Sequence, residues 1–211
     1  MRQLIMAATL LLSVFSVQAT QFKEDVHYTK VEGLTPSGAE VREYFSYYCP
    51  HCFEFESHLK VLKANLPEGA QFVRSHVDFM RMASPKMQKM LSKALIVAKK
   101  LEQEELLNTQ IFNYIHKYRA VFTSERDVRN VFVNAGVDGE KFDQLFNSEE
   151  VLKEVQQLQE FQNKLAKSRA LSSVPTIVVN GKYRINNREL DHKVIDDQLS
   201  ELVNYLLTLD K

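Results

Sequence analysis

The sequence is poor in cysteine: two in 211 residues. That excludes a disulfide-stapled scaffold, and it excludes a zinc site built from four thiolates. The sequence also lacks net charge, with 27 basic side chains against 27 acidic ones. There is therefore no electrostatic footprint for a nucleic acid, and none is expected as a partner. No apolar run reaches the roughly 20 residues needed to span a bilayer. The apolar stretch Leu4 to Val17 is shorter and is interrupted by Thr9, Ser13 and Ser16.

That stretch has another reading. Arg2 and the amino terminus form a thin positive region before it, and Val17-Gln18-Ala19 supplies a cleavage site after it. Residues 1–19 are expected to be a cleaved secretory signal. The remainder is long enough for one domain with an insertion, and 45% apolar with 26% charged residues is ordinary for a globular chain.

Periodicity gives the element order. Val26 to Val31 reads as a short strand, and Val41 to Tyr48 as a strand buried on both faces. Glu43 inside that run is expected to be buried. Phe55, Leu59, Leu62 and Leu66 make one apolar helical stripe, ended by Pro67-Glu68-Gly69. Gln71 to Phe79 alternates as a strand. From Ser84-Pro85 to about Phe161 the pattern is helical and has no repeated unit. Ser124, Asp138 and Ser148 stand at helix starts, and Asn134-Ala-Gly136 is a stop. Strand character returns at Val174 to Val179. Asn180-Gly181 predicts a hairpin turn into Lys182 to Ile185, and Asp191 to Leu209 closes the chain as a helix. A helical block between two αβ segments predicts an insertion: residues 20–79 and 167–211 form one α/β domain with a mixed sheet, and residues 80–166 form an inserted helical domain.

Both cysteines lie in one motif, Cys49-Pro50-His51-Cys52, between the second strand and its helix. A bridge across two residues closes a very short loop, where the entropic gain is smallest, so a purely structural disulfide is a poor explanation. At a helix N-terminus, the Cys49 thiolate meets unpaired N–H groups and the positive end of the macrodipole. Pro50 suits the first helical position because no amide hydrogen is needed there. Cys52 falls one turn deeper. Cys49 is thus the exchanging sulfur and Cys52 the resolving one. An imidazole at His51 favours the thiolate, hence the reduced form, which makes the disulfide the better oxidant. Zinc would need two further ligands; His58 and His76 lack recognisable spacing with the pair, and no metal is expected. A reductase or isomerase using the same motif, and a peptide-binding chaperone with incidental cysteines, are the remaining alternatives.

The stretch Glu43-Tyr-Phe-Ser-Tyr-Tyr-Cys-Pro-His-Cys52-Phe-Glu-Phe-Glu56 resembles the DsbA family of periplasmic thiol:disulfide oxidoreductases. So do Leu66-Pro-Glu-Gly69, His76-Val-Asp-Phe79, Val133-Asn-Ala-Gly136, Val174-Pro175 and Val179-Asn-Gly-Lys-Tyr183, in the family's order. The resemblance implies a thioredoxin-like fold interrupted by a helical domain. It implies that Pro175 is the family's cis-proline beside the redox pair, with the Val174 backbone left to bind an extended substrate. It makes Glu43 the buried acid behind Cys52, and it places Glu56 and Arg74 in a charge network near the site. Arg74 stands where the family more usually has lysine; arginine does not readily exchange a proton, which leaves it charge pairing. Glu54 and Thr176 are two further departures. The implied activity is donation of the Cys49–Cys52 disulfide to reduced secreted proteins, in the periplasm, by a monomer without a cofactor. A membrane DsbB-like, quinone-linked protein would reoxidise the pair. Phe55, Leu59 and Phe79 are candidates for a peptide groove, but Phe55 and Phe79 read better as core.

Overall fold

The computed structural model describes residues 22–33 and 35–209. The signal peptide reading falls on residues 1–19, outside the described residues. A five-stranded sheet in the order β1-β5-β4-β2-β3 forms the frame. The strands are β1 (Tyr28–Lys30), β2 (Glu40–Phe45), β3 (Gln71–His76), β4 (Thr176–Val179) and β5 (Tyr183–Ile185). Among these five strands, only β2 and β3 pair in parallel, joined by α1 (Pro50–Ala64). The β1–β5, β5–β4 and β4–β2 pairs are antiparallel, so the sheet is mixed as expected.

Between β3 and β4 run α2 (Pro85–Lys100), α3 (Glu104–Phe112), a π-helical turn (Asn113–Lys117), α4 (Glu125–Asn134), α5 (Gly139–Phe146) and α6 (Glu149–Lys167). The last described helix is α7 (Ile195–Thr208). Local chemistry explains the boundaries. The Ser84 hydroxyl accepts from Met87 N–H with Pro85 in the first turn. Ser124 and Asp127 form a capping box, and the Asp138 and Ser148 side chains cap α5 and α6. Asn180 and Gly181 have φ of 51° and 65°, the left-handed pair that a tight hairpin requires.

The core has three parts. Val41, Phe55, Leu59, Leu62 and Ile177 pack under α1 and α7. Tyr44, Val178, Leu165 and Leu171 fill the opposite face beneath α6. The largest cluster lies in the helical block and contains Cys49, Cys52, Phe45 and Tyr47. The redox turn is thus walled by the helices as well as by the sheet.

The strands are shorter than their apolar runs. β2 ends at Phe45 because Ser46 to Cys49 turn into the helix: Cys49 N–H donates to Ser46 O (3.0 Å) and Tyr48 N–H to Ser46 Oγ (3.2 Å). β3 ends at His76, and Phe79 is 38% exposed, which corrects its reading as core. The residues after Val77 leave the sheet because side chains of the helical block bind their backbone. Gln162 accepts from Asp78 N–H, and Gln88 accepts from Met80 N–H. Phe55 and Leu59 are buried, so neither forms an open groove face by itself.

Candidate active site

Interior strand β2 aims its carboxyl end at the site, and Cys49 is the N-cap of α1. The side chain accepts from Cys52 N–H at 3.2 Å, so the sulfur sits where the first turn's amides are unpaired. Cys49 is 3% exposed and Cys52 0% exposed. The two sulfurs have opposite electrostatics. A hydrogen bond from the Cys52 thiol, then the Cys52 amide and the positive potential of His51, bring Cys49 down to about 7. Burial, reinforced by that same shared hydrogen bond, pushes Cys52 up, so it stays protonated. Pro50 occupies the first helical position, and His51 is exposed beside it.

The Val174–Pro175 peptide bond is cis. It brings the Val174 carbonyl to 3.5 Å from Cys49 Sγ. Pro175 stops just short of β4, whose first residue, Thr176, pairs with Tyr44 of β2. The proline therefore denies the sheet no ladder bond.

Glu43 lies behind the pair and is completely buried. The parallel register sets it directly beside Arg74, itself 2% exposed. Arg74 Nε is 2.9 Å from Glu43 Oε2, but neither Glu43 oxygen has an aligned hydrogen-bond partner. Both terminal nitrogens of Arg74 instead reach Glu56, from Nη1 at 3.2 Å and from Nη2 more closely. Burial outweighs the pull of Arg74 and raises Glu43 to about 7. Burial works against the charge of Arg74, but Glu43 and Glu56 more than offset it and hold the guanidinium charged. The guanidinium also lies 4.2 Å above the Phe45 ring. Glu43, Glu56, Arg74 and the cysteine pair thus converge, as do Val174 and Pro175 from the other side.

Several neighbours left no signal in the sequence. Lys99 Nζ donates to Arg74 O at 2.8 Å. Asn108 of α3 accepts from the Tyr47 hydroxyl, and His116 Nε2 meets Tyr47 O at 2.7 Å. His116 also stacks on Phe53, with ring centres 5.1 Å apart. His76 is buried, bonded to Ser92 Oγ at 2.9 Å and stacked on Tyr47; burial takes it down to about 3. Lys99, Asn108, His116 and Ser92 come from helices far along the chain, and nothing local marks them; His76 ends β3, in the His76-Val-Asp-Phe79 stretch already noted. Among the described residues, no cluster of three or more His, Cys, Asp or Glu side chains could hold a metal ion. His58 instead pairs with Asp196 at 2.7 Å.

Comparison with known proteins agrees with this geometry. The family model of the DSBA-like thioredoxin domain matches residues 40–196. The thiol:disulfide interchange protein DsbA of Yersinia pestis is 36% identical over 99% of this chain and 99% of its own. Its namesake in Escherichia coli strain K12 is 34% identical over 98% of each. The crystal structure of the disulfide oxidoreductase DsbA from Proteus mirabilis superposes with a TM-score of 0.76 at 30% identity, covering 88% of this chain and 97% of that one. A second structure of the Proteus protein, with a non-covalently bound peptide, gives 0.78 at 30% identity over 88% and 98%. With the fold, the cysteine pair and whole-length relatives in agreement, the chain belongs to the DSBA-like thioredoxin family and is a thiol:disulfide oxidoreductase.

Proposed function

We propose that the two sulfurs divide the work of a dithiol oxidase. A substrate thiolate attacks Cys49 Sγ in the Cys49–Cys52 disulfide. The sulfur–sulfur bond breaks and Cys52 leaves with the electron pair. Glu43 supplies the proton that Cys52 takes up, since a carboxyl brought to about 7 is half protonated near neutrality. The substrate's second thiolate then attacks its own sulfur in the mixed disulfide and expels Cys49 as a thiolate. The product is an oxidised substrate and a reduced enzyme. His51 and the helix terminus stabilise that thiolate, and Pro50 starts the helix without an unpaired N–H. Arg74 is a fixed charge that holds Glu56 and biases Glu43; it does not exchange protons.

The Val174 backbone pairs with an extended substrate segment across from Cys49, beside Pro175. The peptide complex of the Proteus relative supports a polypeptide as the bound partner. The working protein is a periplasmic monomer, with residues 1–19 removed and no cofactor beyond the cysteine pair. A DsbB-like membrane protein linked to quinone restores the disulfide. Residues 80–166 act as a separate helical domain that covers the site.

The observation carrying this reading is the asymmetry of the pair, with Cys49 lowered at the helix terminus and Cys52 raised behind it. Equilibration with glutathione at pH 7 tests it. A potential well above that of thioredoxin, about −270 mV, is expected. A value at or below about −270 mV removes the oxidase reading in favour of a reductase.

A further inference from the structure

Two cavities flank the turn that carries Val174 and Pro175. One, of about 540 Å³, opens towards α1 and α7, with Glu54, Phe55, His58 and Ile195 among its walls. The other, of about 220 Å³, lies on the β5 side and is polar. Ser172, Ser173, Thr176, Arg184, Asn187 and Arg188 line it, and no carboxylate does. Ser173, Pro175, Asn187 and Arg188 border both cavities.

The second cavity follows from the fold. Arg184 of β5 stands opposite Val178 of β4. That register carries the segment after Ile185 alongside the Val174–Pro175 turn, where the 3-10 turn Asn187–Glu189 sets Arg188. Among the described residues, neither Arg184 nor Arg188 makes an ion pair or a side-chain hydrogen bond, although several other cations are paired. Two unpaired guanidiniums with hydroxyls and an amide form a receptor for a carboxylate, which a guanidinium can grip with two parallel hydrogen bonds.

We propose that this pocket receives an acidic side chain of the substrate polypeptide, close in sequence to the cysteine that reacts with Cys49. The proposal rests on the reading that substrate lies extended along Val174. Cys49 Sγ is 3.5 Å from Val174 O, and Ser173 and Pro175 are walls of the pocket. An extended segment advances about 3.3 Å per residue and shows every second side chain to one face. An Asp or Glu one to three residues from the cysteine therefore falls within reach. The cavity on the other side of the turn shares Arg188 but also has Glu54 in its wall, so only the β5 side offers guanidiniums without a carboxylate beside them.

The test compares three dithiol peptides, identical except for aspartate, asparagine or lysine flanking the reacting cysteine. At low salt, kcat/KM for the aspartate peptide is expected to be about three- to tenfold above that of the asparagine peptide, with the lysine peptide slowest. The contrast shrinks at about 0.5 M salt, where the screening length is only a few ångströms. Arg188→Gln moves the aspartate-to-asparagine ratio towards one, and Arg184→Glu with Arg188→Glu reverses the order. Equal rates for the three peptides overturn the proposal. So does an unchanged aspartate preference in Arg188→Gln, which adds no new charge for the fold to accommodate. Failure of the oxidase reading looks different: no peptide of any charge is oxidised.

Discussion

Replacing Glu43 with glutamine should change the pH dependence of stability more than stability itself. Glutamine has nearly the same shape and never titrates. Glu43 moves from 4.5 to about 7 on folding because it is fully buried with only one contact to a cation. The folded state therefore keeps a proton that the unfolded chain releases between about pH 4.5 and pH 7. Wherever the native state binds more protons, stability falls as pH rises. At about 1.4 kcal/mol per unit, the wild type loses about 3 kcal/mol across that window through this one group. The variant does not. Glu43→Gln should thus gain about 3 kcal/mol on the wild type between pH 4 and pH 7. Arg74 keeps Glu56 in either protein, so no cation is orphaned. Urea unfolding of the reduced proteins at pH 4, 5, 6 and 7 measures the difference, and the cysteine titrations are common to both and cancel. A stability difference constant to within about 1 kcal/mol, or one that shrinks with pH, would refute the burial argument.

Ultraviolet titration of the Cys49 thiolate should give a midpoint of about 7. Cys52→Ala should raise it more than His51→Ala does, because the Cys52 hydrogen bond outranks the His51 charge; an unshifted midpoint in the wild type sinks the site assignment. Because Cys52 stays protonated, the redox potential should fall by about 60 mV per pH unit below the Cys49 midpoint and about 30 mV above it. One unbroken slope from pH 6 to pH 8.5 contradicts that. Arg74→Met should destabilise by about 3–5 kcal/mol at pH 8, where the wild-type ion pair is lost and the buried Glu43 must either stay charged without it or take up a proton, and by less at pH 5; equal losses at both pH values would show that packing, not charge, is what was removed. Asn108→Leu leaves the buried Tyr47 hydroxyl without its acceptor and should cost about 1–3 kcal/mol in chemical unfolding, with no loss on unfolding counting against that bond.

What could be read from the sequence was local. The starts of α2, α4, α5 and α6 were legible because Ser84, Ser124, Asp138 and Ser148 announce themselves by cap chemistry. The hairpin at Asn180-Gly181 was legible because few other residue pairs accept its backbone. Strand ends were not. Tyr47 and Tyr48 are as apolar as any strand residue, yet they are buried by packing against the helical block and not by pairing; Val77 keeps one bond to the sheet, from its N–H to Phe45 O at 2.8 Å, and the pairing stops there. Phe79 misled for the same reason: alternation continues past His76, but Gln88 and Gln162 take the following backbone out of the sheet. No pattern in α2 or α6 marks those glutamines, whose partners lie in a loop.

The charge network shows the same limit and a physical consequence. Residue types at Glu43, Glu56 and Arg74 suggested a cluster, but not how one cation would be shared between two acids. The guanidinium fork points both terminal nitrogens at Glu56, which is 25% exposed. Glu43, with no exposure, is left with Nε at 2.9 Å and poor alignment. A lysine would carry one point charge that could swing between the carboxylates; a planar fork cannot serve both equally. The better-solvated acid therefore holds the aligned bonds, and the buried one keeps the higher affinity for a proton. On the proposed mechanism, arginine at this position therefore leaves proton transfer to Glu43, the acid buried alongside Cys52.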